Sequence, residues 1–167
     1  MTNTRNVLLA FGSNAAGAWG EPAGAIAHAF GELHRQGVTL DRISAIIMTE
    51  PMGPLPQAAY ANAAAAGRTA LPPQALMALL KRLEAAAGRQ PGPRWGPRPL
   101  DIDILDYDGI ILGWDAAHDP MQPAPLVLPH PELHKRSFVL EPLREIAPDW
   151  RHPVLGQDIS HMLAALS

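Results

Sequence analysis

The stretch Arg94–Gly109, RWGPRPLDIDILDYDG, decides how the chain is read. Gly96, Pro97 and Pro99 bar both helix and ladder from its first half, which is therefore a loop. Its second half alternates. Leu100, Ile102 and Ile104 point one way, Asp101 and Asp103 the other, which predicts a strand with a dry face and an acidic face. Carboxylates at i and i+2 on one face stand only ~7 Å apart and would repel. A divalent cation relieves that repulsion, and hard oxygen donors suit magnesium. Arg94 and Arg98, just upstream, add an anion-binding element. Metal and arginines beside a loop are the parts with which proteins hold polyphosphate. An isolated D-x-D on a wet strand face is a weak signal; the W-G-P-R turn leading into it sharpens it.

This run resembles the signature of the 6-hydroxymethyl-7,8-dihydropterin pyrophosphokinase family of the folate pathway. The resemblance extends in order along the chain, from Gly12-Ser13-Asn14 to Glu145-Ile146-Ala147-Pro148. It takes in Pro51-Met52-Gly53-Pro54 followed by Tyr60-x-Asn62, and Pro129-His130 followed by Arg136-x-Phe138-Val139-Leu140. It implies an α+β fold, a ferredoxin-like antiparallel sheet with helices packed on its faces, mainly on one. The activity implied is transfer of the pyrophosphoryl group of ATP to 6-hydroxymethyl-7,8-dihydropterin, releasing AMP.

In that reading Asp101 and Asp103 hold two Mg2+ ions, and Arg89 and Arg98 act with them in catalysis. Thr49, Pro51, Met52, Tyr60, Asn62, Trp95 and Phe138 bind the pterin, Asn62 reading its polar edge and Trp95 and Phe138 sandwiching the ring. Glu84, Arg89, Arg98, Ile104, His130 and Arg136 form the nucleotide side. From spacing alone, Asn62 is equally a turn amide and His130 more often structural. Glu84, at the edge of an apolar helix stripe, reads locally as a solvated residue. The chain departs from the family's pattern between Arg89 and Arg94, where Gln90-Pro91-Gly92-Pro93 carries no charge.

Composition sets the bounds. With 167 residues the chain is expected to form one domain, residues 1–167, able to bury its own core. A net charge of −3 gives no electrostatic case for nucleic acid, so any anion site must be a local pocket. The absence of cysteine excludes disulfides and thiolate metal sites. No apolar run approaches a membrane span or signal peptide, so a soluble, cytoplasmic monomer acting on small molecules is expected. The rival readings are a non-catalytic pterin- or nucleotide-binding relative and a ferredoxin-like interaction module; the acidic strand face disfavours the second.

Elements follow from periodicity. Val7–Phe11 reads as a buried strand ending in the turn Gly12-Ser13-Asn14. Glu21-Pro22 opens a helix with Ile26, Phe30 and Leu33 on its buried face, and His28 and His34 outward. Val38–Met48 and Tyr60–Thr69 read as strands. Leu71-Pro72-Pro73 opens a second helix with a stripe of Leu76, Leu79, Leu80, Leu83 and Ala87. Asp106–Ala124 reads as a loop with a hairpin near Gly109. Ser137–Leu140 is expected as a strand, Glu141–Ala147 as a helical turn, and Asp158 as the cap of a last helix with Ile159, Leu163 and Leu166 inward.

Overall fold

The computed structural model describes residues 3–49, 59–90, 92, 97–115, 121 and 125–167. Pro51, Met52 and Trp95 lie outside the described residues, as do Arg94, Pro91 and Pro93. The elements are β1 (Arg5–Ser13), α1 (Pro22–Arg35), β2 (Val38–Ile43), β3 (Ile47–Thr49), β4 (Tyr60–Thr69), α2 (Pro73–Ala86), β5 (Asp101–Tyr107), α3 (Ser137–Ile146) and α4 (Ile159–Ala164). The sheet is antiparallel throughout, in the order β2-β4-β1-β5, with β3 also paired to β4. This is the split β-α-β arrangement of a ferredoxin-like fold, as expected.

Two corrections concern strands. The single strand expected over Val38–Met48 is two, β2 and β3, both lying against β4. Between them Ser44 bonds through its backbone and its hydroxyl to Ala64, and Glu145 caps the Ala45 N–H, so the chain leaves the ladder without stranding donors. The strand expected over Ser137–Leu140 is the first turn of α3. Val139, Leu140, Leu143 and Ile146 are all buried, at i, i+1, i+4 and i+7, a helical stripe.

Strand alternation sorts the core into two halves, because helices cover both faces of the sheet rather than mainly one. Val7, Leu9, Phe11, Ile102 and Ile104 pack against Ile26 and Leu33 of α1 and Leu76, Leu80 and Leu83 of α2. Leu8, Ala10, Ala64 and Leu105 pack against Val139, Leu140 and Leu143 of α3 and Ile159 and Met162 of α4. Burial on both sides is why β1 reads as a continuous apolar run. Inside β4, Gly67 is required by proximity: a Cβ there would stand 2.2 Å from the Thr39 carbonyl oxygen of β2. Both expected helix starts hold, with Pro22 and Pro73 at the first helical positions. Asp158 caps α4, its Oδ1 accepting from the His161 N–H at 2.8 Å. Leu166, expected inward, is exposed.

Candidate active site

Three central strands bring the site together by register. Gly12 of β1 stands between Asn62 of β4 and Asp101 of β5, and Ala10 between Ala64 and Asp103. The small residues at positions 10 and 12 leave space on this face, and the N-terminal end of α3 walls it. The result is a cavity of about 300 Å3 lined, among others, by Thr49, Tyr60, Asn62, Arg98, Asp101, Asp103, Arg136 and Phe138. Eight of the sequence-predicted residues therefore meet in one space. Asn62 Nδ2 donates to Thr49 Oγ1 at 2.6 Å, which fixes its amide over Gly12. Arg136 precedes α3 and holds its guanidinium 5.9 Å from the Phe138 ring centroid.

Glu84, Arg89, Ile104 and His130 stand beside or behind this cavity. Glu84 is not a solvated edge residue but is 3% exposed. Its Oε2 accepts from the Ile102 N–H of β5 at 2.8 Å, and its Oε1 from Arg89 at 2.9 Å, with Lys81 at 3.3 Å. Burial raises its pKa, as does Asp101, against the pull of the Ile102 N–H, Lys81 and Arg89. Arg89 Nη1 also donates to Asp101 Oδ1 at 2.8 Å. Burial alone would ease its proton off, but Asp101 and Glu84 outweigh burial and raise its pKa.

The Ile104 side chain is buried in the core against α1 and α2. Its peptide groups, two residues beyond the Ile102 N–H that turns outward to Glu84, lie on the outer edge of β5. A bulge sets Leu105 between the pairs Leu9–Ile104 and Leu8–Asp106. The Leu105 carbonyl accepts from the His130 N–H at 2.9 Å, seating that histidine next to β5. His130 Nδ1 accepts from the Glu132 N–H at 3.1 Å, so its proton sits on Nε2, 3.8 Å from Asp103 Oδ2. Burial, helped by Arg136, lowers the His130 pKa to about 4.

Asp103 carries the clearest electrostatic signature. Burial, then Asp101 and Glu84, push its pKa up to about 7, while Arg136 and Lys81 oppose. A carboxylate disfavoured as an anion beside a second carboxylate is a place where added positive charge is stabilising. Among the described residues no group of three or more His, Cys, Asp or Glu is arranged to hold a metal. Two hard oxygen donors nonetheless fit Mg2+, which ordinarily completes its shell with water and substrate phosphate.

Sequence reasoning missed several residues. Lys135 and Glu132 line the cavity mouth beside Arg136. Ala10 and Gly12 form its floor, and two small residues at alternate positions of an otherwise bulky strand were the available signal. Ser13 and Asn14, read as a turn, are both buried and bond to the segment that carries Arg98.

A sequence model of the 7,8-dihydro-6-hydroxymethylpterin-pyrophosphokinase (HPPK) family matches residues 8–148. A 2-amino-4-hydroxy-6-hydroxymethyldihydropteridine pyrophosphokinase of Methylorubrum extorquens is 37% identical over 158 residues, covering 95% of this chain and 91% of that protein. The protein of the same name from Synechocystis is 35% identical over 127 residues, 76% of this chain but 60% of the relative. The crystal structure of a Plasmodium falciparum HPPK-DHPS triple mutant matches with a TM-score of 0.72 at 13% identity. That match covers 98% of this chain and 44% of the other, and bears on fold alone.

Proposed function

The chain belongs to the 7,8-dihydro-6-hydroxymethylpterin-pyrophosphokinase family, and from that premise we propose that it transfers the β,γ-pyrophosphoryl group of ATP to the hydroxymethyl oxygen of 6-hydroxymethyl-7,8-dihydropterin, releasing AMP. The observation that carries this reading is one cavity in which Asn62, Phe138 and a pair of carboxylates meet, spanned by the row Asn62–Gly12–Asp101. The hydroxyl oxygen forms a bond to Pβ as the bond from Pβ to the oxygen on Pα breaks; AMP carries away that oxygen, and the hydroxyl proton is released to solvent.

The pterin would lie between Asn62 with Thr49 and the Phe138 ring, its amide-like edge matched by an amide that donates and accepts. Tyr60 closes the same side, while Pro51, Met52 and Trp95 belong to the proposed set on the resemblance. ATP would lie along the outer edge of β5, where the Ile104 peptide groups can meet its base, with Arg89, Arg98, His130 and Arg136 around the phosphates. His130, neutral near pH 7, offers its Nε2 proton as a hydrogen-bond donor rather than a charge. Asp101 and Asp103 would hold two Mg2+ ions, which when bound supply charge neutralisation to the phosphates. The arginines stabilise negative charge that grows on the transferring group, and the cavity walls fix the hydroxyl and phosphate in line. Glu84 acts through its hold on Arg89 and on the Ile102 N–H.

We propose further that residues 1–167 act as one domain, a cytoplasmic monomer whose partners are small molecules and not nucleic acid or membrane. The net charge of −3 supports the former exclusion, and among the described residues no helix is long and apolar enough to cross a membrane. The deciding experiment incubates the chain with ATP, Mg2+ and hydroxymethyldihydropterin and follows AMP. Stoichiometric AMP and diphosphorylated pterin support the reading. Binding of both ligands without AMP would make the chain a non-catalytic relative, and binding of neither would overturn the assignment.

A further inference from the structure

We propose that Asn14 is a positioning residue for the reaction proposed above, holding Arg98 at the height from which its guanidinium reaches the carboxylate pair. Asn14 lies directly beyond β1 and is 5% exposed. Its N–H donates to the Arg98 carbonyl at 3.0 Å, and its Oδ1 accepts from the Arg98 N–H at 2.7 Å. Both backbone polar groups of Arg98 are thus bound to one residue. The neighbouring Ser13 hydroxyl donates to the Pro99 carbonyl at 2.7 Å. Pro99 has no N–H of its own, and it restricts the backbone of Arg98 to extended conformations. With its ends tied and its dihedrals restricted, Arg98 keeps only side-chain freedom. Its Nη1 stands 3.7 Å from Asp101 Oδ2.

The same short segment braces the far side of the site. Gly17 packs on Pro99, where a Cβ would stand 2.7 Å from the proline Cβ and 2.4 Å from the Ala87 carbonyl oxygen. Only a residue without a side chain lets the Ala18 N–H reach that carbonyl, at 2.9 Å. Ala87 lies two residues before Arg89. Residues 13–18 therefore tie the base of one phosphate-side arginine to the base of the other, and Asn14 supplies the bond to Arg98.

The proposal rests on the function given above, and its test separates the two. Asn14→Ala deletes the acceptor; Asn14→Asp keeps an oxygen for the Arg98 N–H. Misplacing a charged group by about 1 Å costs on the order of 100-fold in rate. Asn14→Ala is therefore expected to lower kcat by about 100-fold, with KM for the pterin held within about twofold, and Asn14→Asp to restore most of the loss. In an Arg98→Ala background, Asn14→Ala should cost almost nothing further, because the two act as one unit. A purely structural role would instead lower stability and activity together and subtract equally in both backgrounds. That result, or an Asn14→Asp no better than Asn14→Ala, overturns the proposal. Hydrogen exchange at the Arg98 amide reads the clamp without turnover. Protection in the parent chain that Asn14→Ala removes is expected, and unaltered exchange overturns the clamp even where AMP is released. Absence of AMP from the parent chain with the amide protected would refute the function and leave the clamp standing as a structural bond only, which also overturns a catalytic positioning role.

Discussion

Nη1 of Arg89 lies 2.8 Å from Oδ1 of Asp101, so a cation proposed for the phosphates is bound to a carboxylate proposed for the metal. Glu84 holds the same nitrogen from the other side at 2.9 Å. A metal ion held there would compete with the guanidinium for one oxygen, and both attractions could not be realised in full. Arg89→Ala is therefore expected to produce two effects of opposite sign. Turnover should fall by about 10²–10³-fold, the usual loss for removing a donor aimed at developing charge. The Mg2+ concentration needed for half-maximal activity should fall as well, because Asp101 loses a competitor. Steady-state AMP release across a magnesium titration measures both, and a raised magnesium requirement would separate Arg89 from the metal site.

Asp101→Asn and Asp103→Asn each remove one anionic donor while keeping side-chain size. Neither residue is part of the two apolar clusters, so the fold should survive. Loss of several kcal/mol of charge stabilisation corresponds to about a 10³-fold drop in turnover or more. Circular dichroism with kinetics at saturating magnesium checks both halves. Folded variants that retain magnesium-dependent turnover within tenfold would remove the pair from the metal site.

The acidic pair was legible because a strand's period is two and Asp is a poor strand former, so D-I-D-I on one edge demands a reason. Helices α1 and α2 were legible from their leucine stripes and their opening prolines. α3 was not, because Ser137–Leu140 is too short a run to distinguish periods and Glu141–Ala147 read as a separate helical turn. Its helical stripe shows only when Leu143 and Ile146 are counted with Val139 and Leu140. The burial of Glu84 could not be read, since its partners are an N–H on β5 and an arginine beyond its own helix. Ile104 was named on resemblance, and its side chain belongs to the core. Asn14 looked like a turn because the residue it grips is 84 positions away.

Asn62 is the residue proposed to give the pterin recess its polar specificity. Its Nδ2 is already bonded to Thr49 Oγ1, so the amide is oriented before any ligand arrives. Asn62→Ala would leave donors and acceptors of a buried pterin edge unmatched, a loss of about 1–3 kcal/mol in binding. Calorimetry with hydroxymethylpterin should show affinity reduced by about 5- to 150-fold, with ATP affinity unchanged. An unaltered pterin affinity would place the ring elsewhere in the cavity.

His152 is expected to contribute to the acid sensitivity of the fold, away from the proposed chemistry. Its side chain is fully buried, with Nδ1 accepting from the Val154 and Leu155 N–H groups at 3.2 and 3.1 Å. Trp114 meets it edge-on at 5.4 Å, and His134 lies 5.9 Å away. Burial, then the neighbouring His134, lower its pKa to about 4 from the usual 6.5. Above pH 6.5 the ring is neutral in both folded and unfolded chains, and stability does not depend on it. As pH falls from 6.5 towards 4, the unfolded chain takes up a proton that the folded one refuses, so stability is progressively lost. The loss amounts to about 2 kcal/mol by pH 5. His130, lowered in the same direction, contributes to the same slope, so the two must be separated by substitution. His152→Asn keeps an acceptor near the two N–H groups but cannot titrate. Urea unfolding at pH 7.5 and pH 5 should therefore show a smaller drop between the two conditions for His152→Asn than for the parent chain, whatever the variant's absolute stability. Equal drops would mean that His152 is protonated in the folded chain and that the acid sensitivity lies with other groups, His130 and His134 among them.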